Sequence, residues 1–340
     1  MAHDRFRFAA ICLAVLSAGA LAPAGAAAQA TTERGASILV FPKVVADDSA
    51  DTVVQLANLS NHNVDAYCAY VDGRTETWQS LGFSIAFGPR RPLHWTASAG
   101  RTAGPGEDPL DIPAAPSAFR GELLCVQVDG SGAAFSGNEL AGRATLADLT
   151  SGDVAGYAAV GLRGSGFNDG DEFLCIGDQP SDNCVIGEYD PCTAEWIVSL
   201  PAEGAVDSQL GEGSVLSTRL AITPCSQNLR EGTPGTVDIQ VIVFNELAQQ
   251  FSGQVSVTCW ADVSVGDLAD QIFTRAMLGT DYAAARLQPA EGSGGFMLVA
   301  QTTRAGGAGS SPSSVVANPQ HRGSAVGSDL IVLPPVGPVP

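Results

Sequence analysis

Beyond residue 36 the chain is a succession of short apolar runs separated by polar or Gly- and Pro-rich turns. In 237–246, Val237, Ile239, Val241 and Val243 recur at every second position; in 254–263, Val255, Val257 and Cys259 do the same. A period of two places alternate side chains on opposite faces of a β-strand, with one face against a core. Comparable runs at 37–45, 52–60, 64–73, 83–87, 93–98, 119–130, 142–149 and 156–162 predict strands in the first half. Runs at 195–201, 215–225, 295–303 and 328–334 extend the pattern through the second. The runs 52–60 and 64–73 flank Asn61-His62-Asn63, residues that tolerate positive φ, which predicts a hairpin. One short helix is expected around 268–277.

Many short strands with regular turns point to an all-β chain. The expected organisation is two immunoglobulin-like β-sandwich domains, 31–163 and 195–334. An acidic, cysteine-rich loop, 164–194, joins them, and a Pro-rich tail, 335–340, follows. The halves rhyme: Asn58 and Asn245 each end the first strand of a pair, and Cys68 and Cys259 each precede an acidic turn at Asp72 and Asp262. That order of elements is what a duplication leaves.

The amino end changes the setting. Arg5 and Arg7 precede an apolar run from Phe8 to Ala22, too short to span a bilayer, and Ala28-Gln29-Ala30 has the small-x-small form of a cleavage site. Residues 1–30 are therefore expected to be a signal peptide, cut after Ala30. No later stretch is long and apolar enough to be a membrane span, so the mature chain is expected to be soluble, secreted or periplasmic, in an oxidising compartment.

Charge narrows the partners. Asp and Glu number 36 against 17 Lys and Arg, a net charge of -19, and Lys43 is the only lysine. Such a surface repels phosphate backbones and anionic headgroups, which disfavours nucleic acid and membrane surfaces. An unidentified protein or glycan is the expected partner.

Seven cysteines follow the leader, so one has no partner within the molecule. In an exported chain disulfides are the default, and no CxxC is present for redox chemistry or a zinc ribbon. The expected pairs are Cys68–Cys125 across the first sandwich, Cys175–Cys184 around a short turn, and Cys225–Cys259 in the second half. Cys192 is left as the odd thiol, with Cys184 or Cys225 as partners it would otherwise capture.

The densest chemistry is residues 168–192, with three cysteines, seven acids and no Lys or Arg. Asp169, Asp171 and Glu172 are candidates for weak Ca²⁺ binding, because hard cations take several carboxylate and carbonyl oxygens. The spacing departs from an EF-hand loop, and a disulfide-tied solvated loop is the simpler reading. No other cofactor is expected. His62, His94 and His321 are far apart in sequence, and no HExxH, GxSxG, Walker or GxGxxG motif occurs. Trp78, Trp95, Trp196 and Trp260 are expected mainly as core residues rather than as a sugar-stacking platform.

The segments "LHWTASAG", "FRGELLCVQVDGSG", "NDGDEFLC" and "LAITPCSQNL", with "VIVFNELAQQFSGQVSVTCWADV", resemble a group of uncharacterised secreted bacterial proteins with paired, cysteine-containing β-sandwich halves. The similarity covers most of the mature chain. It implies the layout and the export given above, and it supplies no catalytic residues. The expected function is a non-enzymatic structural or binding module of the envelope or extracellular space. A secreted hydrolase with a non-standard site and a calcium-dependent adhesion protein are the alternatives.

Overall fold

The computed structural model describes residues 30–32, 34–74, 78–102, 111–177, 183–184, 187–207, 213–305, 313–324 and 328–339. Of the expected leader, 1–30, residues 1–29 lie outside them. Ala30 is fully buried, and its carbonyl accepts a hydrogen bond from His321 Nε2 at 2.8 Å.

The first segment carries β1 (Ile38–Ala46), β2 (Ala50–Asn58), β3 (Val64–Asp72), β4 (Gln79–Phe87), β5 (Pro92–Thr96), β6 (Phe119–Val128), β7 (Leu140–Asp148), β8 (Val154–Ala158) and β9 (Val160–Leu162). Pairing links them in one nine-stranded sheet, β4-β3-β6-β1-β2-β7-β8 with β5 on β2 and β9 on β1; it folds into two layers, β4-β3-β6-β1 and β5-β2-β7-β8, that share a core. A single pairing at Ala46 and Asp51 joins the layers. Strands β2 and β3 do not form the expected hairpin; β2 pairs with β5 and β7, and β3 with β4 and β6. The turn between them crosses from one layer to the other. Asn58 pins that crossing, donating to the carbonyls of His62, Phe87 and Gly88.

The remainder carries β10 (Phe173–Ile176), β11 (Thr193–Pro201), β12 (Val206–Asp207), β13 (Ser214–Pro224), β14 (Gln227–Asn228), β15 (Thr236–Asn245), β16 (Gln250–Thr258) and β17 (Ala261–Ser264). After it come β18 (Tyr282–Pro289), β19 (Phe296–Arg304), β20 (Ser313–Ala317), β21 (Gln320–Ser324) and β22 (Asp329–Val332). One layer is β16-β15-β18-β11-β21; the other is β12-β13-β19-β20, with β17 also on β13; a small third sheet is β10-β22-β14. Here β15 and β16 do form a hairpin, so the two halves differ in topology where the sequence rhymes. The expected helix around 268–277 is reduced to a 3₁₀ turn, Val265–Asp267, and one helical turn, α1 (Arg275–Leu278). Ala269, Asp270 and Gln271 lie between these with positive φ, which a right-handed helix excludes.

The stretch 164–194, expected as a connecting loop, is built into the fold. Its β10 pairs with β22 near the carboxyl end, and Tyr189 is fully buried. The Pro-rich end is also docked. Gly132 has a φ of 90°, and a Cβ there would lie 2.6 Å from the Val336 carbonyl oxygen, so only glycine permits this approach.

Among the described residues strand pairing stays within 31–163 or within 164–339, while apolar packing runs across that boundary. Strands β1, β3 and β6 are buried almost throughout. Leu39, Phe41, Tyr70 and Leu123 face the core between the first two layers. Ile38, Val40, Leu124 and Val126 face the other way and pack with Trp196, Leu220 and Ile222 of the second half. Buried side chains of this kind stabilise by about 1.5–3 kcal/mol each.

Polar contacts fix the register of this junction. Pro42 and Lys43 occupy an irregularity in the β1–β6 pairing, between Phe41 and Val44. A proline in a buried strand requires such a break, which leaves backbone groups to be satisfied elsewhere. Tyr157 Oη accepts from Lys43 N at 3.1 Å and donates to Lys43 O at 2.5 Å. Trp260 Nε1 donates to Pro42 O at 2.7 Å, and its ring lies over Gly73. Lys43 Nζ meets both carboxylate oxygens of Asp262 at 3.1 Å, with the side chains 5% and 8% exposed. Burial pulls the Lys43 pKa down, and Asp262 opposes that pull.

This pair gives a test of the junction. Asp262→Asn leaves the Lys43 ammonium buried without its counter-charge and should cost about 3–5 kcal/mol. Adding Lys43→Met should recover most of that loss. Urea unfolding of the single and double variants measures both, and equal losses in the two would count against the buried pair.

Candidate functional site

The acidic stretch is held by its own carboxylates. Glu188 is buried and accepts from Cys175 N at 3.0 Å and Asp169 N at 3.1 Å. Asp169 accepts from Asp171 N at 3.2 Å, Asp171 from Phe173 N at 2.7 Å, and Asn168 from Gly170 N at 2.8 Å. These are side-chain turns of the kind that organise loops. Glu172 instead forms an ion pair with Arg230. Burial pushes the carboxyl pKa values of Asp171 and Glu188 upward. The three calcium candidates, Asp169, Asp171 and Glu172, are thus given to backbone amides and an arginine. Asp178 and Asp182 lie outside the described residues. Among the described residues the one trio of potential metal donors within 4.8 Å is Cys192, Cys225 and Asp329. The two sulfurs there are bonded to each other.

That bond corrects the expected pairing. Cys68–Cys125 and Cys175–Cys184 form as expected, but Cys225 takes Cys192, and Cys259 is the free thiol. Cys192 directly precedes β11 and Cys225 follows β13, so their bridge ties the two packed layers of the second half. Cys68 and Cys125 are cross-strand neighbours on β3 and β6, so that bridge lies within one layer rather than across the sandwich. Cys259 sits just past β16 with a φ of 69°, and its sulfur points to the Asp72 carbonyl of the first half, 3.7 Å away. Burial, with the charges of Glu122 and Asp72, pushes its thiol up to about 12, so it stays protonated and unreactive at neutral pH.

Glu122, fully buried on β6, faces the same junction. Thr223 Oγ1 and Gln227 Nε2, both from the second half, donate to its carboxyl group. Burial raises its pKa to about 7 against these hydrogen bonds.

The histidines do not converge. His62 meets Glu139 at 3.1 Å on an exposed turn, His321 lies over the Trp196 ring and holds Ala30 O, and His94 points outward from β5. Trp78, Trp95 and Trp196 are buried and Trp260 is partly so, which leaves no exposed aromatic platform among them.

An open cleft of about 410 Å³ lies on the outer face of β5-β2-β7. Pairing sets His94, Gln55 and Arg143 side by side across three strands, with Pro92, Ala57 and Ala141 in the adjacent row. Arg143 lies over Gly156 of β8, where a Cβ would come within 2.8 Å of Nη2. A side chain at residue 156 would therefore crowd the guanidinium where it lies. Each of these residues lies in or beside a run that the sequence marks as a strand. Their common row depends on the register of β2 with two distant strands, which periodicity does not carry.

No family model matches the chain, and comparison with curated proteins gives no match. No helix among the described residues is long and apolar enough to cross a membrane.

Two outcomes are expected. A carboxyl that titrates near 7 when folded and near 4.5 when unfolded retains its proton longer in the folded state. Its stabilisation is complete below pH 4.5 and is lost as pH rises to 7, a fall on the order of 3 kcal/mol. Glu122→Gln, which resembles the protonated form, should remove that part of the slope in urea unfolding measured from pH 4.5 to 8. An unchanged slope would place the titration elsewhere. Peptide mapping without reduction should recover a Cys192–Cys225 bridge, and Cys259 should alkylate only on unfolding. A Cys225–Cys259 peptide would contradict the structure.

Proposed function

We propose that the protein is an exported, non-enzymatic binding module that holds a carboxylate-bearing ligand in the cleft on β5-β2-β7. The observation that carries this reading is Arg143. The chain has a net charge of -19, and seven other arginines are paired with carboxylates. Arg143 is exposed and pairs with none of the described residues, beside the amide of Gln55 and the imidazole of His94. A guanidinium presents a planar fork of donors that fits a carboxylate, and the Ala57, Ala141 and Pro92 row offers small apolar contact. Three disulfides support the exported setting.

The test is titration calorimetry with two sources of the same group, an acetylated glutamyl peptide and an oligogalacturonate, against a neutral oligosaccharide. One of the acidic probes should bind and the neutral one should not. Arg143→Met should weaken binding at least about tenfold, since hydrogen bonds to charged groups contribute about 1.5–3 kcal/mol. The variant's melting temperature should not change, because the side chain is exposed. Absence of binding by both acidic probes, or equal binding by the variant, would reject the site.

A further inference from the structure

Strand β16 is an edge. It pairs with β15 over nine residues, from Thr236↔Thr258 to Phe244↔Gln250, without a shift in register, and among the described residues no strand lies on its other side. Natural edges are blunted by charge, proline, bulges or brevity. The sequence of β16, QFSGQVSVT, has none of these. Its Gln250, Ser252, Gln254, Ser256 and Thr258 are exposed on the outer face, while Phe251 and Val255 are only half-buried on the core face.

We propose that β16 is the interface through which two copies of this chain associate, antiparallel about a two-fold axis at Gln254. In that register Phe251 meets Val257, Gly253 meets Val255, Ser252 meets Ser256 and Gln250 meets Thr258. Every apolar residue faces an apolar residue or glycine, every polar residue faces a polar one, and no like charges are opposed. Such a self-match is what an isologous contact requires. The neighbouring strands continue it. Gln254, Gln240 and Gln288 lie in one row across β16, β15 and β18, and Gln288 Nε2 donates to Gln240 Oε1 at 2.6 Å. Pairing at Gln254 extends this row across six strands. The uncharged edge also offers little to attract an oppositely charged partner. For two molecules that each carry -19, it is a face on which approach costs little.

Among the described residues strand β4 is another long uncharged edge. The same operation about Phe83 sets Gln79 against Phe87, so its self-match is poorer.

Sedimentation equilibrium up to about 0.5 mM tests the proposal, since an interface well short of the usual 20–30 residues a side implies weak association. The wild type should show a monomer–dimer equilibrium that tightens as added salt screens the mutual repulsion. Gln254→Lys, which places like charges at the axis, should be monomeric with an unchanged melting curve. Ser84→Lys on β4 should associate as the wild type does. Gln254→Cys should cross-link to itself on oxidation, because only residue 254 faces its own copy. A monomeric wild type, a dimeric Gln254→Lys, a dissociated Ser84→Lys or a Gln254→Cys that fails to cross-link would overturn the proposal.

Discussion

The arrangement rests on one constraint: the layer β4-β3-β6-β1 has apolar side chains on both faces. A sheet with one wet face would show alternation, and β1, β3 and β6 show nearly continuous apolar runs instead. Exposing Ile38, Val40, Leu124 and Val126 alone would cost about 6–12 kcal/mol, comparable with the whole net stability of a folded domain. The first half therefore depends on the second for its outer cover. The dependence is mutual, since Ala221, Val299 and Val316 of the second half complete the first core.

Apolar burial does not by itself choose one docking angle, because it has no direction. The polar groups at the junction have one. The Pro42-Lys43 break leaves backbone groups that Tyr157 and Trp260 satisfy, while the Lys43 side chain reaches Asp262. Glu122 adds a hydrogen-bonded carboxyl group, its pKa raised by burial, in the middle of the apolar contact. Removing one member of such a set leaves an unsatisfied buried partner, so displacement of the halves is penalised more steeply than loss of area alone implies. The proton on this carboxyl is one contributor to how stability varies near neutral pH.

Much of this was legible in the sequence, and the exceptions have physical causes. Alternation located β1, β2 and β15 closely, while the run 254–263 spans the end of β16, the turn at Cys259 and most of β17. It missed β18, "YAAARLQP", whose alanines favour helix; between β15 and β11 the pairing on both sides overrides that preference. Asn61-His62-Asn63 had the composition of a hairpin turn, but composition does not say whether the chain returns to its own layer or crosses to the facing one. Cysteine spacing identified the short Cys175–Cys184 loop, where proximity in sequence decides. It failed for Cys225, where proximity depends on how β11 and β13 face one another. The row of His94, Gln55 and Arg143 was hidden for the same reason: strand register is a property of the assembled sheet.

The same constraint limits where ligands meet the protein. With the inner layers covered on both sides, the outer faces of β5-β2-β7-β8 and of β16-β15-β18-β11-β21 are two of the surfaces that the described residues leave open. On the second of these, Arg286 and Arg322 both pair with Glu195, so their charge is spent within the fold. On the first, Arg143 lies over Gly156 and forms no ion pair with a carboxylate among the described residues. A cation left open on an otherwise acidic protein is the feature that a bound anion would complete, and the glutamine row on the opposite sheet is the feature that a second copy would. The two surfaces belong to different sheets, so occupation of one leaves the other accessible.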